Sequence, residues 1–225
     1  DQNTTGESLE TNRGTIWSFA NAFYTPIMNG YSVIDDNLFA SASDEAQQTA
    51  SSSNVLYFNK GMINASVNPL WTYYNNSYEG IRAANFFLDY VADGKGMALL
   101  EKNRNLVTDA VGYARDVKSL NYYIAEAHVA RAYYYSQLIK MYGGVPIVEK
   151  TQQQSGGELI PRSSYEACVE YIVSEIDTWK GQLALNWNDD NTREGRFTLG
   201  AALAIKARTL LYAASPLHNP SGDRT

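Results

Sequence analysis

KSLNYYIAEAHVARAYYYSQLIKMYGGVPIVEK, residues Lys118 to Lys150, decides the fold. Leu120, Tyr123, Ile124, Ala127, Tyr134, Leu138 and Met141 recur at intervals that are mostly three or four. That period lines one face of a helix and predicts one over 118–142. Gly143 and Gly144 then supply a left-handed stop, and Val145-Pro146 forces an extended exit. The small Ala127, Ala130 and Ala132 allow a second helix to come close. Glu126 and Arg131 place charge in the middle of the helix. An arginine there lays its stem on the core and aims its head at a carboxylate of a neighbouring helix. Nothing in the stretch has the form of a catalytic motif, so its expected role is architectural.

Other helices fall outward from this one. A first is expected from Thr15 to Asn29, with Ile16, Phe19, Ala20, Phe23 and Ile27 inward, Pro26 kinking or shortening it and Asn29-Gly30 as the end. Asn68 as N-cap and Pro69 at the first helical position open a second, running to about Val91. Its expected buried face is Trp71, Tyr74, Tyr78, Ile81, Ala84 and Leu88. Residues 97–117 are ambiguous, with a weak helical piece at MALLEKN. Ser163 and Glu166 form a capping box for a helix carrying Cys168, Val169, Ile172, Val173, Ile176, Trp179 and Leu183 on one side. Thr198 caps the last helix, which Pro216 halts. The expected pairs are 69–91 with 118–142 and 163–183 with 199–214. No alternation of strand and helix is seen, so the class is mostly α, with antiparallel helix pairs, long irregular loops and a helical-repeat layout over a single unit, 1–225. A strict 34-residue repeat is absent.

Composition narrows the function. A formal charge of -6 without clustered Lys and Arg argues against a nucleic-acid surface. The single cysteine, Cys168, permits no intrachain disulfide and no cysteine-based zinc site, and reads as a small buried hydrophobe. No apolar run approaches the roughly 18 residues of a membrane span. Residues 1–12 are polar, without a signal peptide, and are expected to be mobile. Of the two histidines, His128 is expected to be a satisfied helix residue and His218 lies in the tail. No H-E-x-x-H, G-x-S-x-G or phosphate loop occurs. Asn186, Asn188 and Asp190 imitate the start of a calcium loop, but Asn191 stands where glycine is needed and Phe197 where glutamate is. No metal and no cofactor is expected.

Ligand contacts are expected in two polar, irregular stretches, 43–68 and 186–195. Asp35, Asp36, Asp44 and Glu45 offer carboxylates, either as a glycosidase-type pair or as solvated helix caps. Tyr57, Phe58 and Trp187 are aromatic rings set among Asn, Ser and Asp. Such a ring covers the C–H face of a pyranose while polar neighbours take its hydroxyls; the alternative is that each ring tucks back against a helix. The candidate ligand set is Asp44, Glu45, Tyr57, Phe58 and Trp187, with no catalytic residue among them.

Three blocks in order carry a family resemblance. Glu126 to Tyr135 (EAHVARAYYY) followed by Met141 to Pro146 (MYGGVP) resembles the "EARFLRAYYYF…YGDVPL" block of SusD/RagB-like proteins. Arg162-Ser163 with the helix through Ile176-Asp177 resembles their "R…I..DL" segment, although Glu175-Ile176 replaces the usual Asp-Leu. Gly195 to Thr198 with Ala201 to Ser215 resembles "GRatkgAAlalkARvyLYAAS", and Trp71, Ile81, Ala84 and Asn85 fit an earlier helix of the family. The resemblance implies tetratricopeptide-like helix pairs. It implies a surface-exposed outer-membrane lipoprotein of Bacteroidota that captures a glycan, or sometimes a peptide. The ligand would pass to a SusC-like TonB-dependent transporter without catalysis. Family members are longer and carry a lipid-bearing cysteine, so an N-terminal portion of such a protein is expected here. A helical glycoside hydrolase using loop carboxylates, or a scaffold binding only protein, are the alternatives.

Overall fold

The computed structural model describes residues 13–28, 34, 37–64, 66–152, 159–188 and 190–222. The polar N-terminus, the Asn29-Gly30 stop and the Asp35-Asp36 pair lie outside them, as does the middle of the connector after Lys150. The helices are α1 (Arg13–Ala22), a four-residue α2 (Leu56–Asn59), α3 (Trp71–Val91), α4 (Lys95–Asn103), α5 (Ala110–Tyr142), α6 (Tyr165–Trp179) and α7 (Leu199–Ala213). Short 3-10 turns sit at Phe39–Ala42, Lys180–Gln182 and Asn191–Arg193. Among the described residues, β pairing is confined to the isolated bridges Ile34–Asn37 and Asn64–Val67.

The long helix is the spine. Its 33 residues give α5 a length of about 50 Å at ~1.5 Å per residue. It starts eight positions before the expected Lys118. Asp109 caps it by accepting from the Gly112 amide at 2.9 Å. That turn lacks the apolar stripe that marks the rest: Val111 is 84% exposed. Arg104 grips it instead, pairing with Asp109 at 2.9 Å and approaching Asp116 at 3.5 Å. At the other end Gly143 stops the helix at φ 69, as expected.

α5 packs on α3 along one side and α6 along another, and α1 and α7 extend the row outward against α3 and α6. Both expected helix pairs are therefore present. Ile16, Phe23, Phe87, Leu120, Tyr134, Tyr135, Leu138, Ile172 and Ile176 belong to one continuous core. Cys168 is part of it, its thiol donating to the Val145 carbonyl at 3.5 Å.

Several boundaries differ from the sequence expectation. α1 ends at Ala22, because the chain turns through Tyr24 and Thr25 ahead of the buried Pro26, which has no amide hydrogen to continue a helix. α3 opens at Trp71, although Asn68 does organise its approach by accepting from the Leu70 amide at 2.9 Å. Its buried face is Tyr73, Ser77, Gly80, Ile81, Ala84, Asn85, Phe87 and Val91. Trp71 is 57% exposed, and Tyr74, Tyr78 and Leu88 only flank the core. The face is turned because small and polar residues on it, Gly80 and Asn85, have specific partners on α5. The cap of α6 is Ser164, accepting from the Ala167 amide at 3.1 Å, rather than Ser163. Thr198 caps α7 as expected.

Candidate ligand-binding surfaces

The irregular segment before α3 folds as a small unit of its own. Ile34 and Val55 are buried in it. Asn37 ties it together, donating to the Ile34 carbonyl at 3.0 Å and to Ser53 Oγ at 3.2 Å. Asn59, at the end of α2, donates to the Ser43 carbonyl at 3.2 Å, so the 43–45 turn and α2 are held side by side. The structure thus brings four of the five candidates into one unit. Asp44 and Glu45 project into solvent from the turn, where the Glu45 amide bonds Ser43 Oγ at 3.3 Å. Tyr57 and Phe58 are half-buried on α2.

Where this unit rejoins the body, the chain builds an aromatic ledge. Trp71 stacks on Tyr74 with centroids 5.6 Å apart and planes 13° from parallel. Tyr74 in turn meets Tyr78 at 4.8 Å and Tyr142, from the end of α5, edge-on at 5.3 Å. The hydroxyls behind the ledge are engaged. Tyr142 donates to the Leu70 carbonyl at 3.1 Å and accepts from Asn68 at 3.3 Å, and Tyr78 donates to the Pro146 carbonyl at 2.8 Å. An exposed indole held on a fixed ring needs little ordering to receive a flat apolar face. The sequence placed Trp71 in the core; the signal that separates it is that Tyr73, not Trp71 or Tyr74, falls in register with Ser77, Gly80, Ile81 and Ala84.

Trp187 stands elsewhere. It is half-buried, its Nε1 donates to the Arg196 carbonyl at 3.3 Å, and its ring meets Tyr122 edge-on at 5.3 Å. Arg193 lies 5.5 Å from its centroid. Tyr122 and Tyr142 are about 30 Å apart along α5, so Trp187 and the ledge form separate surfaces.

Between them run two buried ionic clusters. Glu126, fully buried, accepts from Tyr24 at 2.9 Å and from Arg196 at 2.8 Å. Burial pushes its carboxyl above the ordinary range while Arg196 and the hydrogen bonds pull it back. Arg131 reaches Glu175 on α6 at 2.6 Å, with His128 Nδ1 3.0 Å from the same carboxylate. His128 is stacked on Trp179 at 4.0 Å. These groups tie the helices of the frame together, Glu126 through its Oε2 and Glu175 through its Oε2. Among the described residues, no group of three or more His, Cys, Asp or Glu could hold a metal, and no helix is long and apolar enough to cross a membrane.

Residues 18–211 match the SusD-like family model described as "Starch-binding associating with outer membrane". No curated protein matches the chain. Among solved structures, a SusD-like protein from Bacteroides fragilis NCTC 9343 superposes with a TM-score of 0.72 at 22% identity, over 93% of this chain and 37% of that one. A laminarin-binding SusD-like protein does so at 0.69 and 21%, over 94% and 42%. Surface glycan-binding protein A from Bacteroides uniformis gives 0.65 and 18%, over 94% and 44%. The chain therefore spans less than half the length of these relatives. With the family's motif residues Glu126, Arg131, Gly143 and Arg196 all engaged in the helical frame, and a family match running from α1 into α7, the chain belongs to the SusD-like family.

Proposed function

We propose that this chain is the N-terminal portion of an outer-membrane-associated protein that captures a glycan and hands it to a SusC-like TonB-dependent transporter, without chemistry of its own. The observation that carries the capture role is the Trp71–Tyr74 stack, half in solvent and fixed from behind. A pyranose lies on the Trp71 face, and Asp44, Glu45, Tyr57 and Phe58, on the unit that precedes α3 in the chain, are the further contacts proposed. Attachment to the membrane is through a lipid on a cysteine upstream of Asp1 in the precursor. The transporter, the lipid and the N-terminal assignment follow from what SusD-like proteins are, and the chain's share of its relatives' length agrees with its being a portion of such a protein.

The test is calorimetry of the chain against neutral glycans, starch and laminarin oligosaccharides first, then a peptide panel. Trp71→Ala is expected to weaken the binding seen at least tenfold, about 1.4 kcal/mol, with helical content unchanged. Absence of heat with every probe sinks the capture role. Reducing ends accumulating during incubation, and lost in Asp44→Asn or Glu45→Gln, would replace it with a hydrolase.

A further inference from the structure

A furrow follows the N-terminal half of α5, built from three adjoining hollows. The first, of about 600 Å³, lies between Tyr113, Lys118 and Tyr122 and the Gly181–Leu183 turn. The second, of about 210 Å³, shares Lys118 and Tyr122 with the first and adds Arg115, Asn186 and Trp187. The third, of about 320 Å³, shares Arg115 and Arg193 with the second and is closed by Trp17 and Tyr123.

Charge in this furrow runs against the chain as a whole, which carries -6. Its carboxylates are already engaged. Asp190 pairs with Arg193 at 2.9 Å, and the Thr192 side chain and amide hold its carboxyl below the usual range despite partial burial. Asp116 is nearly buried, with Arg104 3.5 Å away. Arg193 also donates to Ser119 at 2.6 Å, and Arg196 is held by Glu126. Two cations remain available. Arg115 is exposed, its side chain at 67%, and only grazes Asp116 at 3.7 Å. Lys118, three positions on and on the same face, lies 5.6 Å over the ring of Tyr122. Around them stand the edge-to-face pair Tyr122–Trp187 and the amides of Asn121, Gln182 and Asn186.

We propose that this furrow binds an acidic saccharide, one bearing uronate or sulfate groups, separately from the Trp71 ledge. The anion meets Arg115 and Lys118, a sugar face meets Tyr122 and Trp187, and the amides take hydroxyls. Arginine suits this role because its planar fork matches either oxyanion. The inference rests on the chain being a glycan binder.

Three probes separate the cases in calorimetry at low and moderate salt: oligogalacturonate, a sulfated galactan oligosaccharide, and a neutral laminarin oligosaccharide. Arg115→Gln with Lys118→Gln is expected to weaken an acidic probe at least tenfold and leave the neutral probe unchanged. Trp71→Ala is expected to do the reverse. Acidic binding should fall with salt, since these charges are exposed. Comparing the first two probes tells carboxylate from sulfate. Acidic binding that survives the double substitution, or that Trp71→Ala removes, overturns the furrow. If only the neutral probe binds, the furrow fails and glycan capture stands; if none binds, both fail.

Discussion

Arg131 uses its guanidinium on two helices and on the extended segment after α5. Its Nε and one terminal nitrogen reach Glu175 on α6 at 3.0 and 2.6 Å, and the other terminal nitrogen reaches Asn85 on α3 at 2.9 Å and the Glu149 carbonyl at 3.0 Å. Burial alone would raise the Glu175 carboxyl, but the hydrogen bond of His128 and the charge of Arg131 outweigh it and its pKa is lowered. Burial, with Arg131 adding to it, lowers the His128 imidazole against the pull of Glu175. Both signs give acid lability, in successive windows. For His128 the unfolded chain takes its proton first, near pH 6.5, so stability falls as pH drops below that value toward the lowered folded pKa. The Glu175 contribution is full above about pH 4.5 and is lost as pH falls through its folded pKa. Urea unfolding at pH 7.5 and 5.5 should therefore show a loss that His128→Asn flattens. Glu175→Gln should cost roughly 3 kcal/mol at pH 7 by leaving Arg131 buried without its counter-charge. A His128→Asn chain that declines as steeply as the parent would refute the assignment. The sequence did show an arginine aimed at a neighbouring helix. Which carboxylate it meets was hidden, because Glu175 lies 44 positions away and nothing local marks the pair.

At the scale of elements, glycine decides how closely helices approach. Gly80 faces α5 where Tyr134 crosses, and a Cβ there would lie closer than 3.0 Å to three atoms of that ring. The ring has little freedom to retreat, since it is buried and its hydroxyl donates to the Phe23 carbonyl at 2.7 Å. Gly80→Ala should gain about 1 kcal/mol of helix propensity but lose about 1–3 kcal/mol to overpacking. The expected net result is a lower urea midpoint. Gly181→Ala, with nothing within 4 Å of the added carbon, should stay within about 0.5 kcal/mol of the parent. Equal midpoints for the two variants would show that α3 and α5 are less tightly opposed than this. Gly143 and Gly144 divide their labour in a way the sequence did not separate. The first takes the positive φ that ends α5, while the second lets the backbone of Ser163 to Tyr165 lie against the chain. Helix existence and pairing were legible because apolar period and caps are local. The start of α5 and the buried face of α3 were not, because Arg104, Tyr134 and Arg131 set them from elsewhere in the chain. The same distinction governs the aromatic rings: the sequence pointed to the polar loops, and only the packing shows that Trp187 leans on Tyr122 while Trp71, stacked on Tyr74, stays 57% exposed.

For the molecule as a whole, the row of helices is unequally covered. α1, α3, α5 and α6 all contribute to the core, whereas α7 fully buries only Ala202 and Thr209. Leu203, Leu210 and Leu211 on α7 and Leu217 just beyond it are exposed, Leu211 at 73% and Leu217 at 82%. An exposed cluster of leucines on one helix is an apolar patch of the kind that associates with other apolar surfaces. α7 carries Lys206, paired with Asp177, and Arg208, and leaves Leu203, Leu210 and Leu211 in solvent. Taken alone, the chain should bind an apolar-surface dye such as ANS and self-associate as its concentration rises. Leu210→Glu with Leu211→Lys should lower both the dye signal and the association while leaving the helical circular dichroism and the urea midpoint nearly unchanged, because neither side chain is in the core. A parent chain that stays monomeric and dye-silent at high concentration would show that the α7 face is tolerated by water as it stands. Dye binding that the double substitution leaves intact would place the sticky surface elsewhere, with the exposed Met62 and Ile63 the next residues to replace.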